Sequence, residues 1–278
     1  MEKNLVTCHM MGGLGNQLFQ IFTTIAYSLK YKIPYCFPNF KGMKGIDGKS
    51  ERPHYWNTLF LNLKSYIKDI DGIKVNEINS HKYVQLLGPV KNSNIVLIGY
   101  FQSLRYFQDY KTYIIDLIGF DKFQEDIGII DAISMHFRIG DYKCNPRFHP
   151  ILSTIYYENA LNQIILSTGK KDWKVKYCCE QQDIVNVSEK INTLSNKFPE
   201  LIFERIDPNL KDWQQMLYMS CCQHNIIANS TFSWWSAYLN KNPGKVVCYP
   251  KVWFGPVSGI TDTKELFHDL EWINIICE

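Results

Sequence analysis

Ala132-Ile-Ser-Met-His136-Phe-Arg138-Ile-Gly140-Asp141-Tyr142 decides the fold, because an apolar strand-like run passes directly into a Gly-Asp turn that carries charged side chains. In a strand, alternate residues face opposite sides, so His136, Arg138 and Gly140 are expected on one face and Phe137 and Ile139 on the other. Downstream, strand-like stretches recur at Val175 to Cys179, Leu201 to Phe203, Asn225 to Ala228 and Val246 to Tyr249. Helical patterns separate them at Ile155 to Leu166, Asp183 to Phe198, Trp213 to Cys222 and Phe232 to Leu239. That alternation predicts βαβ units around a mostly parallel sheet, an α/β fold.

Upstream, Leu5 to Met10 reads as a buried strand and Met11 to Asn16 as a glycine turn. Gln17 to Tyr31 follows as a helix, with Leu18, Ile21, Phe22, Ile25 and Leu29 at helical spacing. Further strands are expected at Tyr35 to Phe37 and Ile95 to Tyr100, and an aromatic helix around Leu104 to Tyr110; Pro38 to Pro53 is a long polar loop. Two α/β lobes are expected, residues 1–126 and 127–278, with the extreme C-terminus able to pack back on the first lobe.

The 278 residues are 46% hydrophobic and carry a net charge of +3, which suits a globular chain with a small anionic ligand. Lys and Arg are scattered, with neither a basic helix nor an RNA-reading aromatic motif, so nucleic acid is not an expected partner. The nine cysteines include two adjacent pairs and no C-x-x-C, which is neither a disulfide nor a zinc framework. No apolar run approaches the ~18 residues that span a bilayer, and the first residues lack an apolar leader. The expectation is a cytoplasmic chain or one at the cytosolic face of a membrane; peripheral membrane contact and oligomeric state stay open.

Four strand ends carry the chemistry. Gly12-Gly13-Leu14-Gly15-Asn16-Gln17 joins strand to helix, so its amides could receive an anion and its paired side-chain amides could grip hydroxyls. A dinucleotide fingerprint is disfavoured, since Leu18 replaces the third glycine and no carboxylate ends the second strand; a turn that only packs helix on sheet is the alternative. Arg138 offers a permanent bidentate grip on phosphate, against the plainer reading of an Arg138–Asp141 pair fixing a loop. At Asn229-Ser230-Thr231-Phe232, Asn229 or Ser230 should cap a helix whose free N–H groups form a second phosphate cradle, or a simple cap over core tryptophans. Glu180 and Asp183 follow the Val175 strand and could accept from guanine, or merely start the next helix. The one D-x-D, Asp69-Ile-Asp71, lies in a polar turn, so no metal is expected.

Gly12 to Gln20, His136 to Tyr142, and Asp212 to Met216 through Cys222-Gln-His224 into Ile227 to Ala237 together resemble the signatures of family 11 glycosyltransferases, the α-1,2-fucosyltransferases. The similarity runs from residue 5 to about 254. It departs at Cys178 to Asp183, where the family has two adjacent acids and this chain has Glu180 and Asp183 apart. The resemblance implies a GT-B architecture of two Rossmann-like lobes with a cleft, a GDP-fucose donor held mainly by the second lobe, inversion, no cofactor and no metal. Arg138 would contact the diphosphate and His136 the nucleotide. Ser230 and Thr231 would cap the phosphates, with Asn229, Phe232, Gly13 and Gly15 also on the donor. Asn16 and Gln17 would face fucose or the acceptor, a galactose-terminated glycan attacked through its 2-hydroxyl, with His149 on the acceptor side. Arg138, Asp141 and Asn16 are the catalytic candidates; Asp141 leads as base, with His149 and Asp47 behind it. A related GDP-sugar transferase and a non-catalytic glycan-binding domain are the rival readings.

Overall fold

The computed structural model describes residues 4–45, 47–77 and 82–277. The chain forms two compact units, Met1–Lys122 with Asp262–Asp269, and Phe123–Thr261 with Leu270–Glu278.

In the first unit, β1 (Val6–Cys8) runs into the glycine turn and then α1 (Leu14–Tyr31). Gly12 takes φ +79°, where a side chain is strained. Leu18, Ile21, Phe22 and Ile25 are fully buried, each contributing about 1.5–3 kcal/mol of transfer free energy. Phe22 meets Phe107 edge to face at 5.2 Å. A short antiparallel hairpin, β2 (Met43–Lys44) and β3 (Glu51–Arg52), follows. β4 (Ile73–Asn76) and β5 (Ile95–Ile98) complete a parallel sheet in the order β1-β5-β4. The strand expected at Tyr35 to Phe37 is reduced to isolated bridges, Val6 with Tyr35 and Phe37 with Ile67. The aromatic helix expected at Leu104 to Tyr110 is two single 3-10 turns, 104–106 and 108–110, before α2 (Lys111–Ile118). Through α3 (Phe120–Ile127) the chain passes from one unit to the next.

The second unit alternates throughout: β6 (Ile130–His136), α4 (Thr154–Thr168), β7 (Lys174–Cys178), α5 (Ile184–Lys197), β8 (Ile202–Arg205), α6 (Asp212–Ser220), β9 (Cys222–Ile226), α7 (Thr231–Leu239), β10 (Val247–Pro250) and β11 (Ile273–Ile275). All six strands pair in parallel in the order β11-β10-β9-β6-β7-β8. Numbered within the unit, that is the doubly wound order 3-2-1-4-5-6 read from the other edge, and the winding reverses between β6 and β9. Ile133, Met135, Phe137 and Ile139 enter one apolar core with Tyr156, Tyr157 and Leu161 of α4 and Val187 of α5. All nine cysteines are free thiols, most of them buried. Among the described residues no helix is long and apolar enough to cross a membrane.

Candidate functional site

The winding reverses between β6 and β9, and open α/β sheets bind ligands beyond the carboxyl ends of their strands at such a point. Two of the expected motifs lie there. Phe137 turns into the core against Tyr157, with ring centroids 4.3 Å apart. His136 takes the opposite face, 5.2 Å from the ring of Phe232 at the start of α7. Burial, and then the Arg138 charge, pull the His136 imidazole down to about 3, so it is neutral at pH 7. Its Nδ1 is buried and has no hydrogen-bond partner among the described residues.

Arg138 pairs with Asp141 and with Glu180 and lies over the ring of Tyr142, 4.9 Å from its centroid. Its side chain is 13% exposed, Asp141 is 7% exposed and Glu180 is 35% exposed. Burial alone would lower the guanidinium's pKa; Tyr142, Glu180 and Asp141 together raise it, so the charge is permanent. Gly140, at φ +31°, is needed at this point: a Cβ would come within 2.8 Å of the Glu180 carboxylate.

The Asn229 loop meets this motif directly. Tyr142 donates its hydroxyl to Asn229 O at 2.9 Å, so the ring under Arg138 is anchored to the segment that starts α7. Ser230 is the cap, its Oγ accepting from Phe232 N at 3.4 Å. Ser233 Oγ accepts from Ala228 N at 3.2 Å, which closes the turn. The first amides of α7 and the positive end of its dipole therefore stand beside the His136–Arg138 turn.

Other expected residues have different work. Asp183 is 1% exposed, and its oxygens accept from Gly140 N at 2.6 Å and Lys143 Nζ at 2.7 Å. That corrects its assignment to guanine: both oxygens hold the turn that carries Arg138. Asn229 is likewise internal, donating from Nδ2 to Pro150 O at 2.9 Å and Trp253 O at 3.2 Å. Asp141, buried, pairs with the Arg138 guanidinium and so orients it. His149 stacks on Tyr142 at 4.5 Å, tilted 16°, with Phe254 6.0 Å away. Its pKa is lowered by burial, with Asp141 raising it and Arg138 lowering it.

In the first unit, Gln17 is fully inside, donating to Gly12 O at 3.1 Å and Pro53 O at 2.9 Å. It braces the turn against the Pro53 segment, which corrects its assignment to substrate hydroxyls. Gly15 is buried in the first turn of α1. Asn16 is half-buried and accepts from Gln102 Nε2 at 2.9 Å, while Gly13 precedes α1 as its uncapped start. Asp47 lies in an exposed turn, its Oδ1 taking Lys49 N, Ser50 N and Ser50 Oγ, which hold it down to about 2. Asp69 of the D-x-D pair accepts from Asn39 N. Among the described residues no three His, Cys, Asp or Glu side chains gather as a metal site. Sequence reasoning missed the bridging role of the Tyr142 hydroxyl and the Gln102 partner of Asn16, because spacing does not tell which group a polar side chain will meet.

The sequence model of Glycosyl transferase family 11 matches residues 57–275. An Escherichia coli O-antigen biosynthesis glycosyltransferase, WbnK, is 28% identical over 232 residues, covering 73% of this chain and 69% of that protein. An Escherichia coli alpha-1,2-colitosyltransferase is 25% identical over 287 residues, covering 90% of this chain and 93% of its own length. Among solved structures, a point mutant of Arabidopsis thaliana FUT1 in complex with GDP superposes with a TM-score of 0.52 at 12% identity, over 95% of this chain and 73% of that one. That likeness shows the shared fold, two α/β units of the GT-B type. With the three motifs on the page and a family match across most of its length, this chain belongs to glycosyl transferase family 11 and is a glycosyltransferase.

Proposed function

We propose that the chain transfers L-fucose from GDP-fucose, with inversion and without a metal ion, to the 2-hydroxyl of a terminal galactoside on a glycan. The observation that carries this reading is the meeting of the Arg138 turn with the α7 N-terminus at the switch point of the second unit. A departing diphosphate gains negative charge, and a fixed guanidinium beside aligned helix amides stabilises that charge without reorganisation.

Of the two carboxylates on Arg138, Asp141 is buried and Glu180 is the more exposed. The diphosphate displaces Glu180 and leaves Asp141 to hold the fork in place. Glu180 ends the second strand of the doubly wound order, where a carboxylate can accept from the nucleoside. His136, neutral and with Nδ1 unpartnered, is poised to meet the same ligand. Ser230, Thr231 and the start of α7 line the phosphates, and Asn16, held by Gln102, serves the acceptor side.

A second donor is favoured by one observation, the colitosyl transfer named for the relative that matches 90% of this chain. The test is transfer to a panel of galactosides from GDP-fucose and from other GDP-sugars, with and without EDTA, and the linkage read by NMR. GDP-fucose should be the best donor, the new bond α-1,2, and EDTA without effect. Exclusive use of another donor, or loss of activity in EDTA, contradicts the reading.

A further inference from the structure

Asp183 stands at the start of a helix and does not serve it. It is the N-cap residue of α5, where an aspartate ordinarily accepts from the first amides of its own helix. No such bond forms here, whereas Ser230 at the matching position of α7 does cap its helix. The Asp183 carboxylate is turned to a different segment. Its Oδ2 accepts from Gly140 N at 2.6 Å and its Oδ1 from Lys143 Nζ at 2.7 Å, and the same ammonium lies 3.4 Å from Asn186 Oδ1.

All of these residues belong to the second unit. Gly140 and Lys143 lie in the 3-10 turn Gly140–Cys144 that follows β6, so the two carboxylate oxygens hold one turn at two points. Gly140 comes two residues after Arg138 and directly before Asp141, the two members of the buried ion pair. The backbone at Gly140 has φ +31°, a conformation that persists only where its surroundings impose it. A carboxylate that is 1% exposed and accepts from that amide imposes it through a charge-assisted bond shielded from water. A guanidinium stabilises a departing diphosphate most when its direction is set before the reaction begins. The helix-capping bond that α5 forgoes is therefore replaced by one that sets the direction of Arg138.

We propose that Asp183, paired with Lys143, is a positioning residue of the transfer reaction: it fixes the Gly140 turn so that the Arg138 guanidinium is aimed before the donor arrives. This rests on the reading of Arg138 as the group that meets the diphosphate.

The test is a double-mutant cycle on the donor that the wild type uses best, comparing wild type, Asp183→Asn, Arg138→Lys and the double variant by initial transfer rate. Asparagine keeps an oxygen for Gly140 N and loses the ion pair with Lys143, so kcat/KM for the donor should fall by roughly tenfold to a hundredfold. In the Arg138→Lys background the same change should cost less than about twofold, because the group that Asp183 aims is already gone. A merely structural role would lower the rate by the same factor in both backgrounds, and that result overturns the proposal, as does an Asp183→Asn enzyme within about threefold of wild type. An Arg138→Lys enzyme within about threefold of wild type instead refutes the reading of Arg138, and the proposal falls with it. Should Asp183→Asn fail to fold, Lys143→Met replaces it in the cycle, since the Lys143 side chain is 46% exposed and the Gly140 bond is kept. Its rate should fall by about fivefold or more in the wild-type background alone; an unchanged rate, or an equal fall in both backgrounds, overturns the proposal.

Discussion

Replacing Arg138 by lysine keeps a positive charge and removes the fork. In the free protein the guanidinium reaches Asp141 and Glu180 at once, and on donor binding it would turn one arm to the diphosphate. A lysine ammonium is a point charge that cannot hold Asp141 and grip phosphate in the same fixed geometry. One charge-assisted hydrogen bond to the leaving group is lost, about 1.5–3 kcal/mol, or roughly 10- to 150-fold in kcat/KM. Stability should change little, because Asp141 keeps a counter-charge. Arg138→Ala is different: it strands the 7% exposed Asp141, at a cost of about 3–5 kcal/mol, which should lower the melting temperature by on the order of 10 °C. The assay is initial transfer rate alongside thermal unfolding for both variants. An Arg138→Lys enzyme within about threefold of wild type, or an Arg138→Ala protein as stable and active as wild type, would refute the reasoning.

Further outcomes are expected around the same turn. Glu180→Gln should bind inorganic pyrophosphate more tightly, by roughly tenfold, because a competing anion on Arg138 is gone; calorimetry showing equal or weaker binding contradicts the displacement of Glu180. Gly140→Ala should weaken GDP binding and loosen the turn, since its Cβ would meet the Glu180 carboxylate; an unchanged affinity counts against the tight packing. His136 has a folded pKa far below its unfolded one, so its contribution is present above pH ~6.5 and is lost as pH falls toward 3, by about 1.4 kcal/mol per unit. Denaturant unfolding of His136→Gln between pH 7 and 5 should show a flatter slope than wild type.

Long periodic segments were legible in the sequence. The helices expected at Ile155 to Leu166 and Phe232 to Leu239 occur as Thr154–Thr168 and Thr231–Leu239, and the strand expected at Ala132 to Phe137 occurs as Ile130–His136. Their apolar spacing matches what the core requires, so local pattern and packing agree. β4 and β11 were not legible: Ile73–Asn76 has one buried residue, and Ile273–Ile275 is a strand because β10 pairs with it. Asn225 to Ala228 was expected as a strand, yet β9 starts earlier at Cys222 and ends at Ile226, since Ile227 to Ser230 bend away to cap α7. The motifs predict Arg138 just after a strand and Ser230 as a helix cap, and both positions occur so. Sequence could not separate a carboxylate that faces a ligand from one that faces its own backbone, which is why Asp183 was read as a guanine partner when Gly140 N and Lys143 occupy it. Gln17 misleads for the same reason, its amide answering the carbonyls of Gly12 and Pro53.

The most direct test of the account is a crystal structure of the chain with GDP. The diphosphate should lie within hydrogen-bond reach of the Arg138 guanidinium and of the first amides of α7, with Glu180 swung off Arg138 and Asp141 still paired. Phosphates bound elsewhere, with Arg138 still gripping both carboxylates, would contradict it.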